Sequence, residues 1–220
     1  AASSVNMLPG SFAALLTLIL AARVGATPLE VVAADATGFT VEFRQPAHPP
    51  IKRQIQGEWI DDLLAPGPRP LEPGVPSVPF RSALISAPDG AEIRLEVLEA
   101  HYVQYGEIDL PPVAPPQGAG TDRVELRRDE IAYSTDSFGA GELATAAYLG
   151  IQRGVRSHRL HIHPFRYNPV QRVLRVYDRL VIRVHFEGGR RWRGPIAGAR
   201  RSSLHDHFLN PVSPMVRHPA

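Results

Sequence analysis

Beyond residue 28, apolar and polar side chains take turns one by one, and a chain with that period cannot bury its apolar side as a helix. Phe39, Val41 and Phe43 alternate with Thr40, Glu42 and Arg44, and Ile93, Leu95 and Val97 with Arg94, Glu96 and Leu98. Leu160 and Ile162 alternate with His161 and His163; Leu180, Ile182, Val184 and Phe186 alternate with Val181, Arg183 and His185. Successive side chains on a strand point to opposite faces, so each run predicts a strand with one face buried and one wet, as in antiparallel sheets. Leu174 and Val176 add another strand, with Tyr177-Asp178 turning into the next, so 158–186 reads as three successive strands. The 18 glycines and 22 prolines among 220 residues exceed the roughly 12% typical of proteins and supply turns, not a helical bundle. Six prolines fall between 65 and 79 and four between 111 and 120, segments that cannot donate to a central ladder. Glu142, Leu143, Ala144, Ala146 and Ala147 are mostly good helix formers and predict a turn or two of helix from Gly141 to Leu149. The expected fold is all-β: an antiparallel β-sandwich with at most one short helix.

The front of the chain reads differently. Phe12 to Ala22 is apolar apart from Thr17, and Val24-Gly25-Ala26 follows. Eleven residues are too few for a helix to cross a hydrocarbon core of about 30 Å. A short apolar run ending in small residues predicts a secretory signal peptide over 1–26, although no Lys or Arg precedes the run. The expected organisation is signal peptide 1–26, a sandwich domain over 27–189, and a basic linker over 190–220 carrying Arg190, Arg191, Arg193, Arg200 and Arg201. The expected location is secreted or cell envelope, with no stable membrane span in the mature form.

Charge and cysteine content exclude several functions. Residues 1–150 hold 10 basic and 19 acidic side chains, whereas 151–220 hold 14 and 3, and Lys52 is the one lysine. This reads as two halves of one fold neutralising each other. No aromatic-interleaved basic motif accompanies the charge, so no nucleic-acid partner is expected. With zero cysteines the chain has no disulfide, no thiolate zinc site and no cysteine nucleophile. His161, His163 and His185 are the nearest thing to a metal set, one that requires two neighbouring strands to turn them to one side. No GxSxG occurs. Asp61-Asp62 and Asp129-Glu130 are adjacent carboxylates that point apart on an extended chain and read as solvated turns. No catalytic residue, metal or cofactor is expected.

One stretch is more specific: Arg153-Gly154, Leu160 through Pro164-Phe165-Arg166-Tyr167-Asn168-Pro169, Leu174-Arg175-Val176-Tyr177, and the run to Phe186. Gly74-Val75-Pro76-Ser77-Val78-Pro79, the turn Pro88-Asp89-Gly90, and Gly141-Glu142 precede it in order. Together these resemble the propeptide domain of the gingipain-type cysteine peptidases over roughly 30–210, with Ala140 where that family usually has proline. Tyr167-Asn168-Pro169 reads as a turn, since Asn hydrogen-bonds locally and Pro fixes φ. The motif residues Gly74, Pro76, Pro79, Gly141, Glu142, Arg153, Gly154, Pro164, Tyr167, Asn168, Pro169 and Tyr177 are therefore read as fold-building, not catalytic.

The resemblance implies a β-sandwich lying ahead of a caspase-like cysteine peptidase domain. It would act in cis, or in trans, as inhibitor and folding aid until proteolysis removes it. A blocking loop is expected after the 111–120 prolines, with Arg123, Arg127 and Arg128 as candidates. Arg123 would enter a carboxylate-lined specificity pocket through bidentate hydrogen bonds. The alternative is a stand-alone secreted β-sandwich that binds a surface protein or glycan.

Overall fold

The computed structural model describes residues 28–55, 57–116, 126–139, 141–152, 155–189 and 208–210. The proposed signal segment and Arg153-Gly154 lie outside them. In chain order the elements are β1 (Leu29–Asp35), β2 (Gly38–Arg44), β3 (Ile51–Ile55), β4 (Glu58–Asp62), β5 (Arg81–Ala87), β6 (Glu92–Tyr105), α1 (Glu130–Ser134), β7 (Ala144–Gln152), β8 (Val155–Ile162), β9 (Phe165–Asn168) and β10 (Val173–Glu187). One sheet runs β1-β2-β10-β6, with β9 also paired to β10; a second runs β5-β8-β7; β3 and β4 form a separate hairpin. The pairings between these strands are antiparallel.

The alternating runs do what their period requires. Phe39, Val41 and Phe43 of β2 and Leu180, Ile182 and Val184 of β10 are buried against Ile85, Leu160 and Ile162 of the second sheet. That shared core makes the two sheets a β-sandwich. A second cluster, Leu63, Ile108, Leu110, Phe165, Tyr167, Leu174 and Val176, fills the space beside β9 and the start of β10. In β6, Ile93 and Leu95 pack on the first core, whereas Val97 is exposed on this edge strand.

The outer face of the larger sheet explains the charge asymmetry. Arg179 reaches Glu42 at 2.7 Å and also contacts Glu99, while Arg183 holds Asp35 at 2.7 Å. The basic late strand thus lies between acidic early ones, as the balance of the two halves suggested. Each such exposed pair is worth only about 0–1 kcal/mol, so the ladder selects neighbours more than it stabilises them. Asp35 is pulled down to about 2, first by hydrogen bonds from Thr37 and then by Arg183.

Three local expectations need correction. The segment expected to be helical from Gly141 to Leu149 is mainly strand β7, in register with β8 from Ala144 opposite Ile162. Backbone pairing along the β8 edge outweighs differences in helix propensity of under 1 kcal/mol per residue. The helix lies earlier, at α1, capped by Asp129, whose side chain accepts from the Ala132 amide at 2.7 Å. Tyr177 and Asp178 make no turn. They sit at a bulge within one 15-residue strand, and the third strand of 158–186 is β9. Asp61 is no solvated turn either: it is buried in β4, bonded to Lys52 Nζ at 3.0 Å and to the Asp109 amide at 2.6 Å.

Candidate functional site

The proline-rich segments were expected to be extended or loop segments outside any central ladder, yet the few amides they contain find each other. Gly74 N donates to Val113 O at 3.0 Å, Val113 N to Val75 O at 2.8 Å, and Ser77 N to Pro111 O at 2.9 Å. Pro76 and Pro112 face each other in an antiparallel bridge. The same Gly74 also receives the chain that returns, since Asp129 N donates to Gly74 O at 3.0 Å. Residue 113 leaves toward the 117–125 segment and residues 127–129 come back from it, so one glycine fastens both limbs.

A side chain there would be strained and tightly packed. Gly74 has φ of +89°, and a Cβ would meet Asp129 N at 3.1 Å, Asp129 Cβ at 3.2 Å and Arg127 O at 3.3 Å. The returning limb is then locked to the body. Arg128 pairs with Asp109 at 2.9 Å and lies over the Tyr133 ring at 4.8 Å. Tyr133 donates to Leu110 O at 2.9 Å, and burial pushes its hydroxyl pKa up. Burial works against the Arg128 charge, but its hydrogen bond to Asp109 together with the attraction of Asp109, Tyr133 and Tyr167 leaves the pKa above the ordinary value. Arg128 is thus a strut of the loop base. Arg127 is exposed, and Arg123 lies outside the described residues.

Several of the remaining motif residues bond within the sandwich. Tyr167 donates to Ile108 O at 2.9 Å, and Asn168 bonds Asp136 at 2.7 Å and the Gln171 amide at 3.0 Å. Asn168 thereby closes the β9–β10 hairpin, whose turn begins at Pro169, so Tyr167 belongs to the strand and not to the turn. Tyr177 N donates to Pro164 O at 2.7 Å, and Arg166 bonds the Gly141 carbonyl. Pro79 is buried beside the clamp segment, and Glu142 is exposed.

The histidines do not converge. His161 and His163 stack 6.4 Å apart beside Phe80, outside the smaller sheet. His185 is outside the larger sheet, bonded to Glu96 at 2.8 Å. The core separates them, so strand parity alone rules out the three-nitrogen zinc set. Burial holds His158, His161 and His163 below the ordinary imidazole value, helped by Arg156, Arg159 and Arg166 respectively. The unfolded chain therefore takes up protons first as pH falls below about 6.5, and stability falls with it until the folded groups also protonate. The urea midpoint is expected to drop between pH 7 and 5, and to drop less when these three histidines are replaced by glutamine. A midpoint that rises on acidification would contradict this assignment.

The described residues form a β-sandwich without cysteine, in which Val113 and Asp129, on either side of residues 117–125, are both bonded to Gly74. The chain belongs to the Propeptide_C25 family, whose model matches residues 66–202, and is a gingipain-type propeptide. Among curated relatives, Lys-gingipain HG66 of Porphyromonas gingivalis is 33% identical over 145 residues, 62% of this chain and 8% of that protein. Gingipain R2 of the same organism is 29% identical over 119 residues, 51% of this chain and 16% of that protein. The chain thus spans a small fraction of the curated relatives it matches. The fold is shared with a chain of the complex of Porphyromonas gingivalis RgpB pro- and mature domains: TM-score 0.69, 21% identity, 83% of this chain and 97% of that one. A structure described as giving insight into zymogenic latency of gingipain K from Porphyromonas gingivalis matches with TM-score 0.62 and 27% identity, covering 73% and 93%. Among the described residues no helix is long and apolar enough to cross a membrane.

Proposed function

We propose that this chain is the inhibitory and fold-assisting pro-domain of an exported gingipain-like cysteine endopeptidase, acting on the peptidase domain in cis and able to act in trans. In this reading residues 1–26 direct export, 27–189 form the inhibitor, and the arginine-rich part of 190–220 is the connector at which processing occurs. The supporting observation is the double fastening of Val113 and Asp129 to Gly74. A loop held by both ends has less freedom to lose on binding, and preorganisation of this kind raises affinity without new contacts. Arg123 is the residue proposed to enter the specificity pocket, with Arg127 beside it and Arg128 bracing the base. Tethering in cis supplies high effective concentration, so modest intrinsic affinity suffices for latency.

Titration of a matching peptidase domain with the full chain tests the reading. Saturable loss of peptide cleavage is expected, and undiminished cleavage at saturating chain would sink it. Gly74→Val probes the clamp. A side chain at this positive φ costs about 1–2 kcal/mol, so the urea midpoint falls modestly, and inhibition by the still-folded chain weakens about tenfold as preorganisation is lost. Inhibition unchanged by this substitution would remove the clamp from the account.

A further inference from the structure

Residues 190–220 were expected to be a basic linker, but Phe208, Leu209 and Asn210 pack against the sandwich. They lie beside β5, an edge strand of the smaller sheet. Phe208 bridges Leu84 in parallel sense, and Leu209 N donates to Leu84 O at 2.8 Å. Asn210 then mimics a strand. Its Oδ1 accepts from Ser86 N at 2.8 Å and its Nδ2 donates to Ser86 O at 2.8 Å, while Ser86 Oγ donates to Asn210 O at 2.6 Å. Phe208 and Asn210 are buried, Ser86 is fully so, and Leu209 packs on the main core.

We propose that the β5 edge is a docking site for the chain's own downstream segment, a latch that holds residues 208–210 after the backbone between β10 and Phe208 is cut. Strand addition of this kind draws affinity from main-chain bonds and specificity from seated side chains, here Phe208 and Asn210. It also covers an edge that would otherwise pair with other chains. Its biological use rests on the connector reading above. Cleavage among the arginines would leave the pro-domain and the chain beyond Asn210 joined at β5, and this second contact would add to the loop's hold on the peptidase and slow release.

The test uses the full chain with a site-specific endopeptidase sequence in place of residues 193–200, and reads the Ser86 amide resonance before and after cutting, across a dilution series. After cutting, the Ser86 signal is expected to stay at its uncut position at the highest concentration and to leave it on dilution. Asn210→Ala should lower the affinity obtained from that series at least tenfold, with the remaining amide spectrum confirming that the sandwich is folded. If Ser86 shifts at every concentration as soon as the chain is cut, only the covalent tether holds the segment and the latch is wrong. Retention that is unaffected by Asn210→Ala would equally overturn it. No gingipain-like peptidase is present, so a failed inhibition assay and a failed latch are distinguishable.

Discussion

Arg123→Ala in the full chain is expected to weaken inhibition of an arginine-preferring gingipain-like peptidase by at least thirtyfold. Truncating one partner of a buried, hydrogen-bonded charge pair costs about 2–5 kcal/mol, much of it from leaving the other charge buried and unpaired. Arg123→Lys should recover part of the loss, because lysine restores the charge but not the planar fork that matches a carboxylate. Arg128→Ala should act differently. Its guanidinium is spent on Asp109 and Tyr133, so removing it should lower the urea midpoint together with inhibition. Inhibition constants beside urea melts separate the two roles. Unchanged inhibition by Arg123→Ala would remove the specific contact while leaving the clamp open to its own test.

The largest stability effect is expected at Gly38. The residue sits at the start of β2 with φ of +152°, and a Cβ there would lie 1.9 Å from the Val184 carbonyl oxygen. That oxygen belongs to β10, the strand paired along β2, so an alanine must push the two strands apart at the main core. Overpacking costs about 1–3 kcal/mol and occasionally more, so with the backbone strain Gly38→Ala should remove about 3–5 kcal/mol, a large share of the total for a domain stable by roughly 5–15 kcal/mol. Gly57 is the control: its φ is +90°, but nothing lies within 4 Å of an added Cβ. Gly57→Ala should cost about 1–2 kcal/mol, from backbone conformation alone. Equal losses at the two positions, measured by urea denaturation, would show that close approach to β10 is not what Gly38 provides.

The sandwich was legible in the sequence because burial of a half-wet strand writes itself as alternation. Phe39, Val41 and Phe43, like Leu180, Ile182 and Val184, carry that pattern with little interruption, and they form the core. β7 was hidden because Ala144, Ala146 and Ala147 are small and carry a helix preference, while the strand they form is fixed by pairing with distant β8. The bulge at Asp178 was hidden for a related reason, since one extra residue in a long strand looks locally like a turn. Asp61 was read from its neighbour Asp62 as a solvated pair, although Lys52 and the Asp109 amide, which hold it, lie elsewhere in the chain.

The candidate site was legible only in part. The prolines around 111–116 and the arginines beyond them marked a loop, and the Gly-Val-Pro segment was noticed as a family signature. That the two meet was not visible, because proline-rich segments offer few amides and no periodicity to align. The amides of Gly74, Ser77 and Val113 carry the pairing, and Gly74 announces itself only through its positive φ and the chain packed over it. The docked segment gave a still weaker signal, the short apolar pair Phe208-Leu209 beyond an arginine-rich stretch, and nothing marked Asn210. Their partners, Leu84 and Ser86, are more than a hundred residues earlier in the chain.

The central claim is that the clamped loop occupies the cleft in which the peptidase binds its substrate. The mode of inhibition tests this most directly: initial rates of a matching peptidase domain measured across substrate and full-chain concentrations. Competitive inhibition is predicted, with apparent KM rising linearly with chain concentration and kcat unchanged. A fall in kcat at unchanged KM, or rates that do not respond to the chain at all, would contradict a loop lodged in that cleft.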